Sequence, residues 1–388
     1  MTAALMSSVV GDFPEGQGEA LRLQLPQLLW KAWPVALASE LSSNSSNRSE
    51  NPGWIRGRSL LLSALLGIAA ALAKGFPPGK RAFIFAGPEG ANGSAEAGEW
   101  PRSSRSLLHR IAALALAGSP IGVGSNGEPE YGCAACETAC DVVRSCALSP
   151  ECRSLLAQSG FFADAVAQIR RLCGKAGTRA SSGTFIRAVG RVGDLTGVLV
   201  NASLRTEGQK TLLQVDGIGD MLGDLLRLCL RAAAARYPGS PEEASTVREL
   251  SGAGSRARHW TPPAIARALL LLRNLALAPS TGEVAAHRQP LLDLALQAVA
   301  HSDLELSRAA ASCLRAVLRG GYNDGGGKTA VGIGARKAEV ATAVESRLCA
   351  VSSFSPTASS EDGGIEIDAR DARKQLRSEL EAVRDFFS

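Results

Sequence analysis

The sequence predicts an all-α chain assembled from stacked helical units. Three observations lead there. Ala and Leu dominate the apolar residues, and β-branched residues are sparse in the apolar runs, which favours helix over strand. Helical segments alternate with Gly/Ser/Pro-rich stretches, and no segment shows the sustained period-2 alternation bounded by turns that marks a hairpin. One phrase also recurs along the chain, as expected of a repeat array.

Taken in order, residues 15–41 read as one or two helices. Trp30 and Trp33 supply bulk, and Pro34 supplies a break or kink because it removes a helical N–H. Residues 42–57 read as a polar linker. The run Leu60 to Ala73 is apolar except for Ser63 and is flanked by Arg58 and Lys74. Crossing a bilayer takes about 18 or more apolar residues, so this shorter run predicts a fully buried helix and no membrane span. Helices are then expected over 58–74, 105–117, 133–148, 151–173, 184–204, 208–236, 262–278, 284–300, 303–319, 336–350 and 366–387. The loops between them (88–104, 118–130, 174–183, 237–258, 320–335 and 351–365) are long for a compact domain and read as disordered inserts. In the last helix Leu376, Leu380 and Val383 form an apolar stripe at i, i+4 and i+7, continued by Phe387. It is too short for a coiled coil of several heptads and is expected to cap the stack.

The recurring phrase carries the organisation. Leu155, Leu156, Gly160 and Phe161 stand opposite Leu212, Leu213, Gly217 and Ile218, each 57 residues on. A fainter copy runs from Lys80 to Gly87, and a later one opens at Leu271-Leu-Arg-Asn-Leu-Ala-Leu-Ala-Pro279. In each clear copy an apolar helix ends in a polar turn, a Leu-Leu pair begins a short helix, Gly breaks it, and a second amphipathic helix follows. Glycine suits the break because it changes direction without a Cβ clash. One such unit cannot bury its apolar face alone, whereas stacked units share a continuous core.

This pattern resembles the armadillo repeat, whose third helix ends in a Leu-x-Asn-Leu/Ala phrase before a polar turn. Asn201 in LVNASL and Asn274 in LRNLAL match that phrase. The resemblance covers about 130–319, with a degenerate copy near 59–117, and implies an α-α superhelix. The spacings of 57 (160 to 217) and 73 (201 to 274) exceed the usual repeat of about 40–47 residues, which leaves a HEAT-like or other α-solenoid open. The degenerate spacing and low-complexity inserts also resemble the rotatin family of centriole and basal-body scaffolds. The implied plan is N-terminal helices and linker at 1–57, a degenerate repeat with inserts at 58–130, armadillo-like repeats at 131–319, flexible loops with one helix at 320–365, and a capping helix at 366–388.

The 388 residues carry a net charge of +5 and a pI near 8.8, too dilute a surplus to point to nucleic acid. Aromatics at 5% are too few for base-stacking platforms. Nine cysteines, an odd number, argue against a secreted disulfide scaffold. The N-terminus lacks the basic region of a signal peptide, so a reducing, cytoplasmic setting is expected.

Cys133, Cys136, Cys140, Cys146 and Cys152 crowd into twenty residues. Cys133, Cys136 and Cys140 are the candidate metal ligands, and the group is also a candidate redox site. No second ligand pair or nearby His completes a zinc site. On a helix those three lie at i, i+3 and i+7, a buried stripe continued by Val143 and Ala147, so core packing is the first reading. Gly325-Gly-Gly-Lys-Thr329 echoes a phosphate loop, but Tyr322 stands where its first Gly belongs and a helix precedes it. His109, His259, His287 and His301 are scattered, and no Gly-x-Ser-x-Gly turn occurs. No motif asks for a cofactor or a small-molecule substrate, and the chain is expected not to be an enzyme.

Basic residues such as Arg102, Arg105 and Arg110, Arg170 and Arg171, and Arg227, Arg231 and Arg236 recur at helical spacing. They read as a solvated face, with a basic groove as the alternative. The armadillo resemblance implies that Asn201 and Asn274 face a concave groove and hydrogen-bond the backbone of an extended peptide, an amide offering both donor and acceptor. Ser145 and Ala73 fill the equivalent positions in other copies, so that ladder is interrupted, and a helix-ending Asn that caps local backbone is the competing reading. The expected function is a protein-binding scaffold that takes peptide or helical segments in its groove, with a centrosomal or basal-body role implied by the rotatin resemblance. A metal- or redox-linked helical protein and a nucleic-acid-binding solenoid are the alternatives.

Overall fold

A computed structural model describes residues 14–42, 52–87, 106–116, 134–175, 182–234, 261–276, 288–300, 303–323, 337–352 and 363–385. Among these residues there are sixteen α-helices and no strand. They are α1 (Pro14–Arg22), α2 (Leu25–Ser42), α3 (Pro52–Ala73), α4 (Pro77–Phe85), α5 (Leu107–Leu116), α6 (Ala134–Cys146), α7 (Pro150–Gln158) and α8 (Phe161–Lys175). Then follow α9 (Ser182–Ala202), α10 (Thr206–Leu213), α11 (Ile218–Ala234), α12 (Thr261–Ala276), α13 (Arg288–Val299), α14 (Leu304–Asn323), α15 (Lys337–Ser352) and α16 (Gly363–Arg384). No helix among the described residues is long and apolar enough to cross a membrane. The phosphate-loop echo, Cys133, Phe387 and the bulk of the expected loops lie outside the described residues.

Several boundaries differ from expectation for identifiable reasons. The break in 15–41 falls at Leu23–Gln24, where Gln24 adopts φ 54°, and the helix runs on through Pro34. Helix α3 begins at Pro52, inside the stretch read as linker. Pro52 stands at its first position, where the missing N–H costs nothing. Helix α4 has no place in the expected helix set, although its phrase was one of the faint copies. It is only nine residues long and opens on Pro77-Pro78. The expected helix 151–173 is two helices split at Gly160 (φ 79°), and 208–236 is two helices split at Gly217 (φ 76°). Both glycines occupy the left-handed region, as the recurring phrase requires.

The chain divides into two compact units, Met1–Gln168 and Ile169–Ser388. In the N-terminal unit a short, a middle and a long helix follow in order twice, as α1–α2–α3 and α4–α5–α6. Like packs on like: α1 on α4, α2 on α5 and α3 on α6, with α4 also against α7. Apolar faces drive this. Leu62, Leu66, Leu72, Leu107, Leu108 and Ile111 are fully buried, each such side chain contributing on the order of 1.5–3 kcal/mol. The run Leu60–Ala73 is thus a core helix, buried at Leu62, Leu65, Leu66, Ile68, Ala69, Ala71, Leu72 and Ala73.

In the C-terminal unit two layers run side by side. The long helices α9, α12, α14 and α16 pack in succession, and α11, α13 and α15 form the second layer. Gly193 permits the closest approach. A Cβ there would lie 2.7 Å from the Ala264 Cβ, so α9 and α12 touch nearly backbone to backbone. Helix α14 starts on Asp303, whose carboxylate accepts from the Leu306 N–H at 2.9 Å, an N-cap. Leu376, Leu380 and Val383 of α16 are all fully buried, as their spacing predicts. The packing is helical-repeat-like in both units.

Candidate protein-interaction groove

Ser145, Asn201 and Asn274 lie near the C-terminal ends of α6, α9 and α12. A helix leaves its last four carbonyls without intrahelical partners, and two of these residues serve that need in a neighbouring helix. The Ser145 hydroxyl donates to Ala73 O at 2.8 Å, at the end of α3. The Gln17 side chain adds bonds to Ala71 O (3.1 Å) and Lys74 O (3.3 Å). The Asn274 amide donates to Val200 O at 3.4 Å and to Ser203 Oγ at 2.9 Å, at the end of α9. Ser203 Oγ in turn donates to Val200 O at 2.8 Å. Asn274 is only 3% exposed, so its donor is engaged within the protein and faces no opening. Asn201 is half-buried and also has an interaction within the chain. The equivalence of Ser145 and Asn274 has a structural content: each ties its long helix to the end of an earlier one.

Cys136, Cys140, Val143 and Ala147 are buried along one stripe of α6, and Cys140 Sγ lies 3.6 Å from Ala115 O. Cys146 and Cys152 are buried too, and Cys152 Sγ lies 3.4 Å from Lys80 O. Hydrogen bonding to Cys152, with burial, holds the Cys146 thiol well above its usual range. Burial alone pushes Cys313 up to about 12, so it stays a neutral thiol. Among the described residues no group of three or more His, Cys, Asp or Glu is gathered to hold a metal. His109, half-buried on α5, shares a 3.0 Å hydrogen bond between Nδ1 and Ser106 Oγ, and burial lowers its pKa. Glu151 lies far below the carboxylate range, at about 2. The Ser149 hydroxyl donates to it at 2.6 Å, a backbone N–H adds to this, and Arg81 of α4 caps it.

The feature that spacing alone did not single out is a groove of about 440 Å³ in the C-terminal unit, walled by α12, α14 and α16. Helix α12 contributes Pro263, Ala266, Arg267, Leu270 and Arg273; α14 contributes Glu305, Arg308, Ala309 and Ser312; α16 contributes Gln375, Ser378 and Glu379. The sets follow i, i+3, i+4, i+7, i+10 on α12, i, i+3, i+4, i+7 on α14 and i, i+3, i+4 on α16, each one face of a helix. Three successive long helices therefore turn the same kind of face to one opening. Its floor is apolar and small, and its walls carry charge.

The arginines differ in their partners. Arg267 pairs with Asp194 at 2.9 Å and Arg315, beside the groove, with Glu379 at 3.1 Å. Arg273 Nη1 donates to Ser312 Oγ at 2.9 Å, and Arg308 donates to Gln375 Oε1. Those two guanidiniums rest on neutral acceptors. The signal was present in the sequence as residues at helical spacing. What it lacked was which helices come together.

No family model matches the chain, and no curated protein matches it. Among solved structures, an engineered protein from the Northeast Structural Genomics Consortium aligns over 99% of this chain and 94% of its own, at 14% identity and a TM-score of 0.28, values that carry no argument. The chain is therefore described by its own geometry: an all-α protein with helical-repeat-like packing and an open groove across three long helices.

Proposed function

We propose that this chain is a non-catalytic protein-interaction module built from armadillo-like repeats, with the α12–α14–α16 groove as its docking face. The groove carries the reading: three consecutive long helices present matching stripes to one opening of about 440 Å³. The repeat assignment draws support from the short–middle–long helix order in the N-terminal unit, from the left-handed glycines at 160 and 217, and from long helices packing in succession. In this scheme α10–α11–α12 is a three-helix repeat of the C-terminal unit, α13–α14 and α15–α16 are shortened ones, and α16 closes that unit. Such a face binds by presenting fixed side chains along a groove, so little ordering entropy opposes docking. The rotatin resemblance extends the proposal to a cytoplasmic scaffold at the centrosome or basal body, which a tagged full-length chain tests by co-localisation with centrioles.

A proximity-labelling survey of the native chain against Ser378→Trp tests the docking face. Ser378 is exposed and lines the groove, so an indole there fills the opening without entering the core. The module reading expects partners lost with thermal unfolding unchanged. Full retention of partners sinks the groove.

A further inference from the structure

We infer that the groove selects an acidic peptide segment, with two carboxylates about one helical turn apart placed on Arg273 and Arg308. This rests on the docking-face reading and adds the chemistry of the partner. The first observation is charge accounting. Of the arginines around the groove, Arg267 and Arg315 each have a carboxylate within 3.1 Å, whereas Arg273 and Arg308 are bonded only to Ser312 and Gln375. Neutral acceptors hold a guanidinium in place without cancelling its charge. Both forks are thus positioned without a carboxylate in ion-pair contact, and a carboxylate is the bidentate group that fits a guanidinium.

The second observation is spacing. The Arg273 guanidinium rests on Ser312 of α14, and Arg308 is rooted four residues before Ser312 on the same helix, its guanidinium reaching across the groove to Gln375 of α16. Four residues rise about 6 Å along a helix. Carboxylates at i and i+4 of a helical ligand, or at i and i+2 of an extended one, span a similar distance. The third is the remainder of the lining. Ala266, Leu270 and Ala309 offer an apolar floor for the residues between the acids, while Glu305 and Glu379 stand on the walls. A peptide can set neutral residues against those two carboxylates. A nucleic acid strand, with a phosphate at every step, cannot avoid them.

Fluorescence anisotropy on the full chain tests this with three labelled probes: an Ala-rich peptide bearing glutamates at i and i+4, its glutamine counterpart, and a single-stranded RNA of similar length. The glutamate peptide is expected to bind about ten-fold or more tightly than the glutamine peptide, with the difference shrinking as salt rises. R273Q/R308Q should abolish the preference, as should R308Q alone, whose partner Gln375 is exposed and whose loss leaves the core untouched. R227Q, on an exposed side chain of α11 outside the groove, should keep it. Equal binding of the two peptides, binding of neither at millimolar concentration, or RNA binding with the same arginine dependence would overturn the inference. The docking-face reading fails separately. If Ser378→Trp removes native partners and R273Q/R308Q does not, the groove stands and its acidic specificity falls. If neither variant changes partner recovery, both fall.

Discussion

In the N-terminal unit the long helices α3 and α6 meet through a small neutral contact, the Ser145 hydroxyl on Ala73 O, and the nearby Arg144 is paired with Asp141 at 3.0 Å. In the C-terminal unit α9 and α12 are clasped the same way by Asn274, but the next faces of the stack, on α12, α14 and α16, carry two arginines on neutral acceptors. The two regions use one device for joining long helices and differ in what remains afterwards. A cation on a neutral acceptor is not confined to the C-terminal unit, since Arg110 of α5 donates to Trp30 O at 3.0 Å with its guanidinium over the Trp30 ring. What the proposed docking face adds is two such arginines lining one opening of about 440 Å³.

The comparison can be broken or sharpened by substitution, read as shifts in urea-unfolding midpoints. The largest effect is expected at Gly193. Gly193→Val would drive α9 off Ala264 and cost about 2–3 kcal/mol by overpacking. A smaller loss would show that the α9–α12 seam is looser than its contact distance implies. Asn274→Ala comes next, at about 2 kcal/mol, because it removes two buried hydrogen bonds that tie α12 to the end of α9 and leaves a small gap there, although Val200 O keeps the Ser203 donors. Ser145→Ala in the N-terminal unit should cost about 1 kcal/mol, since its site is only part-buried. If the two clasps are equal in cost, burial does not distinguish them. Gly217→Ala should cost more than Gly160→Ala, each on the order of 1 kcal/mol for the left-handed backbone. The excess at 217 arises because a new Cβ would stand 2.9 Å from the Arg170 guanidinium, while the space at 160 is open.

The smallest effect is pH-dependent. Glu151 sits at about 2 in the folded chain and near 4.3 when unfolded. Its contribution is therefore present above about pH 4.3 and is lost as pH falls toward 2. Its side chain is a third exposed, so solvent screening limits this to about 1 kcal/mol. Glu151→Gln should lower stability by that amount at pH 6 and by much less at pH 2, where about half of the folded carboxylate is protonated. A constant difference across that range would remove the ionised carboxylate, held by Ser149 and then Arg81, as the cause.

Much of the fold was legible in the chain. The stripe of Leu376, Leu380 and Val383, the buried run Leu60–Ala73, and the left-handed breaks at Gly160 and Gly217 all follow from apolar spacing and glycine placement, which are local properties. The short helix α4 escaped periodicity because nine residues give too few turns for a stripe to register. The split at Gln24 is not legible because glutamine is no helix breaker, whereas Pro34, which reads as a break, is carried within α2. The candidate site was legible only in its ingredients. Asn274 reads in the sequence either as a peptide-facing amide or as a helix-ending amide bonded to backbone, and in the structure its amide is buried on the end of α9.

What the sequence by itself determined is the helical class and the glycine breaks at 160 and 217, since both depend on hydrophobic period, helix propensity and breaks within a few turns. What only the tertiary structure decided is which polar groups find partners. Arg267 and Arg273 stand six residues apart on one helix and look alike in the chain, but one meets Asp194 from α9 and the other meets only Ser312 of α14. Pairing energy depends on distances between residues that lie far apart in sequence, and those distances exist only once the helices have packed.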